Sequence, residues 1–214
     1  MTSRASTDET EEGSPSRRSR RGPKEGSSKR RKEILDAAAE LFAQNGFAGT
    51  TVRDIADSVG ILSGSLYHHF NAKEDMVEEI FNAYFDELTT RLEEVCGQDL
   101  SVPEKLEAML DVALGNVDNH TAAARLFTNE WFTLRRLPGF DEKWSRIEKT
   151  WMKVIRQGVE DGSIRGDVDP VLLFSAAMDM IRGFAGWYHP GARLSIGRVR
   201  PAYVSVLMSG LRTG

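Results

Sequence analysis

The sequence lacks features that several classes of protein require. Its 214 residues include a single cysteine, Cys96, so no disulfide can form within the chain. No stretch resembles a secretory signal peptide, and no apolar run approaches the roughly 18 residues of a membrane-spanning helix. We therefore expect a soluble, cytoplasmic protein with no membrane partner.

Enzyme motifs are missing as well. The chain has no GxSxG, GxxxxGK or GxGxxG motif, and its acidic residues are scattered. HExxH is absent, and the adjacent side chains of His68 and His69 diverge by about 100° on a helix, so they cannot bind one metal ion together. We expect no catalytic site, no metal site, no cofactor and no enzymatic activity.

Period-two runs of strand length are also absent, whereas helical periodicity is widespread. Helices are predicted over residues 29–44, 51–60, 63–70, 71–95, 103–116, 121–137, 141–160, 170–187 and 195–211. Because Pro201 would kink the last helix, Arg200 is its alternative start. The predicted fold is all-α, with an N-terminal three-helix helix-turn-helix domain joined by a long fourth helix to a larger helical ligand-binding and dimerisation domain. The predicted limits are 1–28 for a disordered arm, 29–75 and 76–214.

Residues 51–73 have the pattern of two short helices joined by a tight turn. Thr51 and Asp54 form a capping-box pattern, and Gly60 supplies the left-handed residue that ends the first short helix. In the second short helix, Leu66 and Phe70 are four residues apart and face the core. Its other face is small, polar and aromatic, as a DNA-recognition helix requires. The fourth helix begins with a second capping-box pattern, at Asn71 and Glu74.

Motifs in this region are shared with a known family. They are Gly46, TTVRDIA at 50–56, Gly60, GSLYHHF at 64–70 and Lys73. Over residues 30–80 they resemble the DNA-binding domain of the tetracycline-repressor (TetR) family of transcription regulators. The run ILSGSLYHHF is similar to that of actinobacterial repressors of steroid and lipid catabolism, which respond to CoA thioesters. Most members have serine where this chain has Leu62, so the N-cap is expected at Ser63.

The resemblance implies a set of DNA-contacting residues. It assigns this role to Thr51, Arg53, Ser63, Gly64, Ser65, Tyr67, His68 and Lys73. Arg53, Tyr67 and Lys73 are expected at phosphates, Lys73 because the first turn of a helix favours an anion. Ser63, Ser65 and His68 are expected nearer the base edges. The alternative for Tyr67 and His69 is packing against the first or fourth helix.

Charge is distributed unevenly along the chain. The net charge is −4, yet residues 17–73 contain eleven basic and six acidic residues, against sixteen and twenty from Met76 onward. Residues 1–28 contain almost no large apolar side chains, so we expect them to be disordered. Nine cations between Arg17 and Lys32 face one acidic residue, Glu25. This basic arm is either a solvated tail or a segment that follows DNA phosphates or a minor groove.

The C-terminal half is rich in aromatic residues, most of which are expected in the core. Arginines lie on or near the same stripes, and an arginine facing an apolar cavity is costly unless it meets an anion. The resemblance places an inducer between these helices, and such a cavity suits an acyl or polycyclic acid or its CoA thioester. The predicted ligand-binding residues are Arg125, Trp131, Phe132, Trp151, Arg182, Phe184 and Trp187.

The last two predicted helices carry apolar stripes with small residues, such as Ala176, Ala177 and Gly210, that allow close approach. The stripes are Leu172, Leu173, Ala176, Ala177, Met180 and Ile181 on one helix and Tyr203, Val206, Leu207, Gly210 and Leu211 on the other. These stripes predict a two-fold, four-helix interface in a homodimer. The alternative is packing within one chain.

Two functions from different classes fit these features. The first is a repressor that binds a palindromic double-stranded DNA operator as a homodimer and is released by a small-molecule inducer. The second is a nonspecific or architectural DNA-binding protein that relies on the basic arm and ignores small molecules. Dependence on both operator halves, and on a ligand, separates them.

Overall fold

A computed structural model describes residues 23–191 and 195–211 of the protein. Over these ranges the chain forms ten α-helices, and none of them is long and apolar enough to cross a membrane. They are α1 (Pro23–Asn45), α2 (Val52–Ser58), α3 (Ser63–Leu66), α4 (Lys73–Cys96), α5 (Val102–Asn119), α6 (Thr121–Asn129), α7 (Trp131–Leu134), α8 (Phe140–Glu160), α9 (Pro170–Trp187) and α10 (Ile196–Leu211). The all-α prediction is confirmed.

Helix α1 holds the N-terminal helices together. Its buried Ile34 and Phe42 belong to the same core as Ile55 of α2 and Leu66 of α3. Its polar side contributes as well, because Arg30 donates a hydrogen bond of 2.6 Å to the carbonyl of Val59, at the end of α2.

Arg31 ties α1 to the elements that follow α3. It forms an ion pair of 2.6 Å with Glu79 of α4, donates to the His69 carbonyl and lies 4.0 Å from the Phe70 ring centroid. Both Arg30 and Arg31, which were counted among the cations of the basic arm, are therefore structural contacts within the domain.

The start of α1 corrects the predicted limit of the arm. The helix begins at Pro23, a residue favoured in the first turn because its fixed φ is helical. Residues 23–28 are thus helical rather than disordered, and the rest of the arm, residues 1–22, lies outside the described residues. The buried core is continuous from α1 to α10, so the predicted domain limits remain a prediction.

Other helix boundaries also differ from the prediction. Ala72 occupies the N-cap position of α4, and the Asn71 N–H bonds Asp75 at 3.1 Å, so no capping box joins Asn71 to Glu74. The predicted helix 121–137 is interrupted at Glu130, whose φ of −108° and ψ of 20° are not helical.

Helix α10 begins at Ile196 and contains Pro201, so the later start at Arg200 is wrong. The Arg200 guanidinium bonds Asp111 of α5, with 2.8 Å between Nε and Oδ1. Pro201 has no backbone N–H to donate within this part of α10. The ion pair of the adjacent Arg200 with Asp111 holds that turn of the helix against α5.

Candidate nucleic-acid interface and ligand cavity

The first short helix has the cap that the sequence predicts. The Asp54 N–H donates to the Thr51 hydroxyl at 3.2 Å, and the Thr51 N–H donates to the Asp54 carboxylate at 2.8 Å. The Thr51 hydroxyl also donates to the Asp54 carboxylate at 2.7 Å, and this bond, together with the one from the Thr51 N–H, holds the pKa of Asp54 below its usual value. Gly60 has a φ of +68°, the left-handed conformation expected of the residue that turns the chain towards α3.

The second short helix is shorter than predicted. Only Ser63–Leu66 is regular α-helix, and a looser turn continues to Phe70, whose N–H donates to the Leu66 carbonyl at 3.0 Å. Leu66 and Phe70 are buried, as expected. The N-cap position falls on Leu62 rather than Ser63, and it has no side-chain cap hydrogen bond, because leucine has no acceptor.

Most of the predicted DNA-contacting residues lie on the surface of α2, α3 and the turn after α3. Ser63 and Lys73 are half-buried, whereas the others are exposed: Thr51, Arg53, Gly64, Ser65, Tyr67 and His68. The Arg53 side chain is 82% exposed, 3.6 Å from Asp57. Tyr67 is 55% exposed, which disfavours the alternative of core packing. Their contacts with DNA remain predictions.

Lys73 departs from its expected orientation. Its ammonium group points back towards the loop between α1 and α2 and donates to the carbonyls of Phe47 at 2.8 Å and Thr50 at 3.0 Å. The same group lies 4.4 Å from the Phe47 ring centroid. An ammonium group has three N–H donors, and here two of them have carbonyl acceptors while an aromatic ring lies nearby. The geometry therefore favours a role in positioning α2 over the predicted role as phosphate anchor.

A pair of variants distinguishes these two roles. We expect Lys73→Ala to lower the free energy of unfolding by about 1–3 kcal/mol, because it removes charge-assisted hydrogen bonds, and to weaken DNA binding without changing its salt dependence. Arg53→Ala is expected to preserve stability and to flatten the slope of log K against log salt by about 0.9. Thermal unfolding and binding isotherms at several salt concentrations measure both effects. A slope change of that size for Lys73→Ala would restore the phosphate role.

A cavity of about 70 Å³ lies in the larger helical bundle. Its lining is almost entirely apolar and comes from α4, α5, α6, α7, α8 and α9: Tyr84, Phe85, Leu88, Leu92, Ala113, Val117, Ala124, Phe127, Thr128, Trp131, Trp144, Ile147, Trp151, Met178, Ile181, Arg182 and Ala185. Three predicted ligand-binding residues, Trp131, Trp151 and Arg182, line it. Tyr84, Phe127 and Trp144 also line the cavity and were not predicted to do so, although each lies on an aromatic stripe of a predicted helix.

The other four predicted ligand-binding residues lie elsewhere. Phe132 is 78% exposed on α7, and Trp187 donates to the Tyr203 hydroxyl at 2.9 Å on the surface. Phe184 is fully buried and stacks on Tyr188, with 4.7 Å between ring centroids. Arg125 is not among the lining residues. These four residues lie on faces of their helices that do not point into the cavity.

The polar groups at the cavity have distinct roles. Arg182 is the one charged residue in the lining; it pairs with Asp179 of the same helix and lies 5.1 Å from the Trp131 ring centroid. On another wall, burial raises the pKa of the Tyr84 phenol to about 12, so it stays protonated at neutral pH. The neighbouring Asn116 amide is close enough to affect that pKa, but neither of its polar atoms has a partner at hydrogen-bonding geometry.

Glu130 connects the cavity to the helix-turn-helix. Its carboxylate accepts the Phe47 N–H at 3.1 Å, and the Phe47 carbonyl accepts from Lys73. The next residue, Trp131, lines the cavity, and α6 packs along α1. Glu130 thus joins a wall of the cavity to the loop that precedes α2.

The predicted dimer stripes divide into two sets. Leu173, Ala177, Leu207 and Leu211 are buried within the chain, which confirms the alternative for these residues. Large apolar side chains on the outer faces of α9 and α10 remain exposed: Leu172 at 62%, Val206 at 64% and Trp187 at 43%. Ala176 and Gly210 lie on the same exposed faces. This outer patch is available to a second protein surface.

An exposed helix-turn-helix, coupled to a helical domain with an apolar cavity, defines a helix-turn-helix transcription regulator. The chain belongs to the TetR family: the family model for bacterial regulatory proteins, tetR family, matches residues 34–80, and that for the tetracyclin repressor-like C-terminal domain matches residues 99–211. The predicted family is thus confirmed. Its members regulate transcription and are not enzymes.

Individual relatives agree with this assignment. The HTH-type transcriptional repressor KstR2 of Rhodococcus jostii is 40% identical over 194 residues, which cover 87% of this chain and 93% of the relative. The ketosteroid transcriptional regulator KstR2 of Mycobacterium tuberculosis has a similar structure, with a TM-score of 0.80, 34% identity and coverage of 86% of this chain and 96% of that one. AibR, solved in complex with isovaleryl coenzyme A and operator DNA, shares the fold at 23% identity, with a TM-score of 0.71 and coverage of 84% and 98%.

Proposed function

We propose that this TetR-family repressor binds a palindromic operator as a homodimer and is released by a hydrophobic, anionic inducer. The observation that carries the proposal is the connection through Glu130 between the cavity and the helix-turn-helix. A nonspecific or architectural DNA-binding protein requires no connection between a ligand cavity and its DNA-binding surface. Scrambling one half of a selected palindrome tests the proposal: the repressor loses most of its affinity, whereas a nonspecific DNA-binding protein loses little.

The inducer class follows from the lining of the cavity. Apolar and aromatic walls suit an acyl chain or a fused ring system, and Arg182 supplies a cation for an acid or a CoA thioester. Because Arg182 pairs with Asp179 and lies over the Trp131 ring, an anionic group meets it by replacing the Asp179 carboxylate. The description of the M. tuberculosis relative as a ketosteroid regulator supports a steroid-derived body for the inducer.

Size determines how such a ligand acts. Pockets for ligands of this kind usually enclose about 300–1,000 Å³, whereas this cavity encloses about 70 Å³. A ligand with a steroid or acyl body therefore has to displace the surrounding helices. Helix α4 lines the cavity through Tyr84 and Leu88 and begins at Lys73, beside α2, so its displacement also reaches the DNA-binding surface.

The basic arm gives a separate prediction. Deleting residues 1–22 removes the clustered Arg17, Arg18, Arg20 and Arg21, with Arg4 further upstream, but no described core residue. We expect folding and dimerisation to persist and affinity for operator at low salt to fall well over tenfold, since each lost phosphate contact weakens binding. Changing only these four arginines to glutamine keeps the length and is expected to have the same effect. Unchanged affinity in both variants would make the arm a solvated tail.

A further inference from the structure

Leu62 has no evident role in stabilising the folded chain. It is 81% exposed, the highest value for a large apolar side chain among the described residues. At the N-cap position of α3, a serine or aspartate would accept a backbone N–H, but Leu62 makes no side-chain cap hydrogen bond. It therefore contributes neither to the core nor to the cap. Such a residue points to a partner outside the chain.

The surroundings of Leu62 identify that partner surface. Leu62 directly precedes Ser63, Gly64 and Ser65, three small residues at the start of the recognition helix. A Cβ atom at Gly64 would meet no atom within 4 Å, so neither packing nor a special backbone conformation requires glycine there. Glycine also weakens a helix relative to alanine. Because its neighbours are small, the Leu62 side chain protrudes from the protein surface and can reach into a groove of bound DNA.

Chemistry then selects the contact. Leucine has no donor or acceptor, so it cannot bind a phosphate or the polar edge of a base. The apolar group that a base pair presents in the major groove is the 5-methyl group of thymine. We propose that Leu62 determines specificity by contacting a thymine methyl group in each operator half-site. This inference rests on the proposed binding to a palindromic operator.

Removing single methyl groups from the operator tests the contact. The full-length wild-type protein first selects its preferred duplex from a random pool. Each thymine of that duplex is then replaced by uracil, which lacks only the 5-methyl group. Dissociation constants are measured for the wild-type protein, Leu62→Ala and Leu62→Ser.

We expect one thymine position per half-site at which uracil weakens wild-type binding about fourfold, and about fifteenfold when both halves are changed, the effect of exposing one methyl group each. Both Leu62 variants should bind the thymine and uracil duplexes equally well. Tyr67→Phe is the control, because a lost phosphate contact lowers affinity for both duplexes and preserves their ratio. If uracil has the same effect on wild-type protein and on Leu62→Ala at every position, the proposed contact is wrong.

Thermal unfolding gives a second, DNA-independent result. Leu62→Ser introduces a cap, so we expect the midpoint of unfolding to rise by about 2–4 °C while methyl recognition is lost. A fall in the midpoint would show that Leu62 has a structural role, and would overturn the inference. Failure to select any preferred sequence would contradict the proposed operator binding itself. Selection of a palindrome with no Leu62-dependent thymine would contradict only the role of Leu62.

Discussion

Replacing Leu172 by glutamate is expected to convert the protein into a folded monomer that binds its operator at least about a thousandfold more weakly. Leu172 is 62% exposed on α9, so a folded single chain tolerates the new charge. In a two-fold dimer formed through α9 and α10, the two glutamates would be desolvated near each other, at a cost of several kcal/mol per charge. A monomer engages one half-site and loses the difference between specific and nonspecific binding.

Sedimentation and operator titration measure the two consequences separately. Gln157→Glu is the matched control, because it adds the same charge on an exposed part of α8 with almost no change in size. It should remain dimeric and keep its operator affinity. A Leu172→Glu protein that remains dimeric with unchanged affinity would place the interface elsewhere, whereas an unfolded protein would show that α9 needs this side chain within the chain. Val206→Glu on α10 gives an independent test of the same surface.

Local sequence signals predicted much of the fold because short-range interactions determine them. The Thr51 and Asp54 cap, the left-handed Gly60 and the buried stripe of α4 each depend on residues within a few positions of one another. The bounds of α9 were predicted for the same reason. Its N-cap, Asp169, accepts the Val171 N–H at 2.8 Å, and Pro170 follows in the first turn.

Contacts between distant elements account for several of the errors. Lys73 turns inward because two carbonyls of the loop between α1 and α2 are within reach. The sequence of α4 alone gives no indication of these acceptors. The helix predicted over 121–137 breaks at Glu130, which bonds a residue 83 positions earlier. Among the aromatic residues, Trp151 and Phe184 share burial and helical spacing, yet only Trp151 lines the cavity. Helical spacing predicts burial, but it does not distinguish a cavity wall from solid core.

The other large expected effect concerns release of the repressor by its inducer. We expect inducer and operator each to weaken the binding of the other about a hundredfold. An inducer shifts the protein only by binding the DNA-incompetent conformation more tightly, and about 2.7 kcal/mol of differential affinity produces that factor. Two recognition helices enter successive major grooves only when about 34–36 Å apart, so small shifts of α4 are sufficient. Reciprocity requires the same factor in both directions.

Tryptophan fluorescence follows ligand binding directly, because Trp131, Trp144 and Trp151 line the cavity. Long-chain and steroid-derived acids and their CoA thioesters are titrated into free protein and into protein saturated with operator. Trp187 lies outside the lining but within the outer patch of α9 and α10, so a Trp187→Phe variant removes its background signal once sedimentation shows that the variant is still dimeric. A ligand that binds both forms equally well is not the inducer. If none of these anions binds, the proposed ligand class is wrong.

Glu130 makes the mechanism testable at a single hydrogen bond. Glu130→Ala removes the acceptor of the Phe47 N–H, whereas Glu130→Gln keeps a side-chain oxygen that can accept it. We expect the alanine variant to bind the ligand with unchanged affinity in the absence of DNA but to lose at least about tenfold of the coupling between ligand and operator. The glutamine variant should retain the coupling. Full coupling in Glu130→Ala would assign the transmission to α4 or to the packing of α6 along α1, since both helices line the cavity and contact the helix-turn-helix domain.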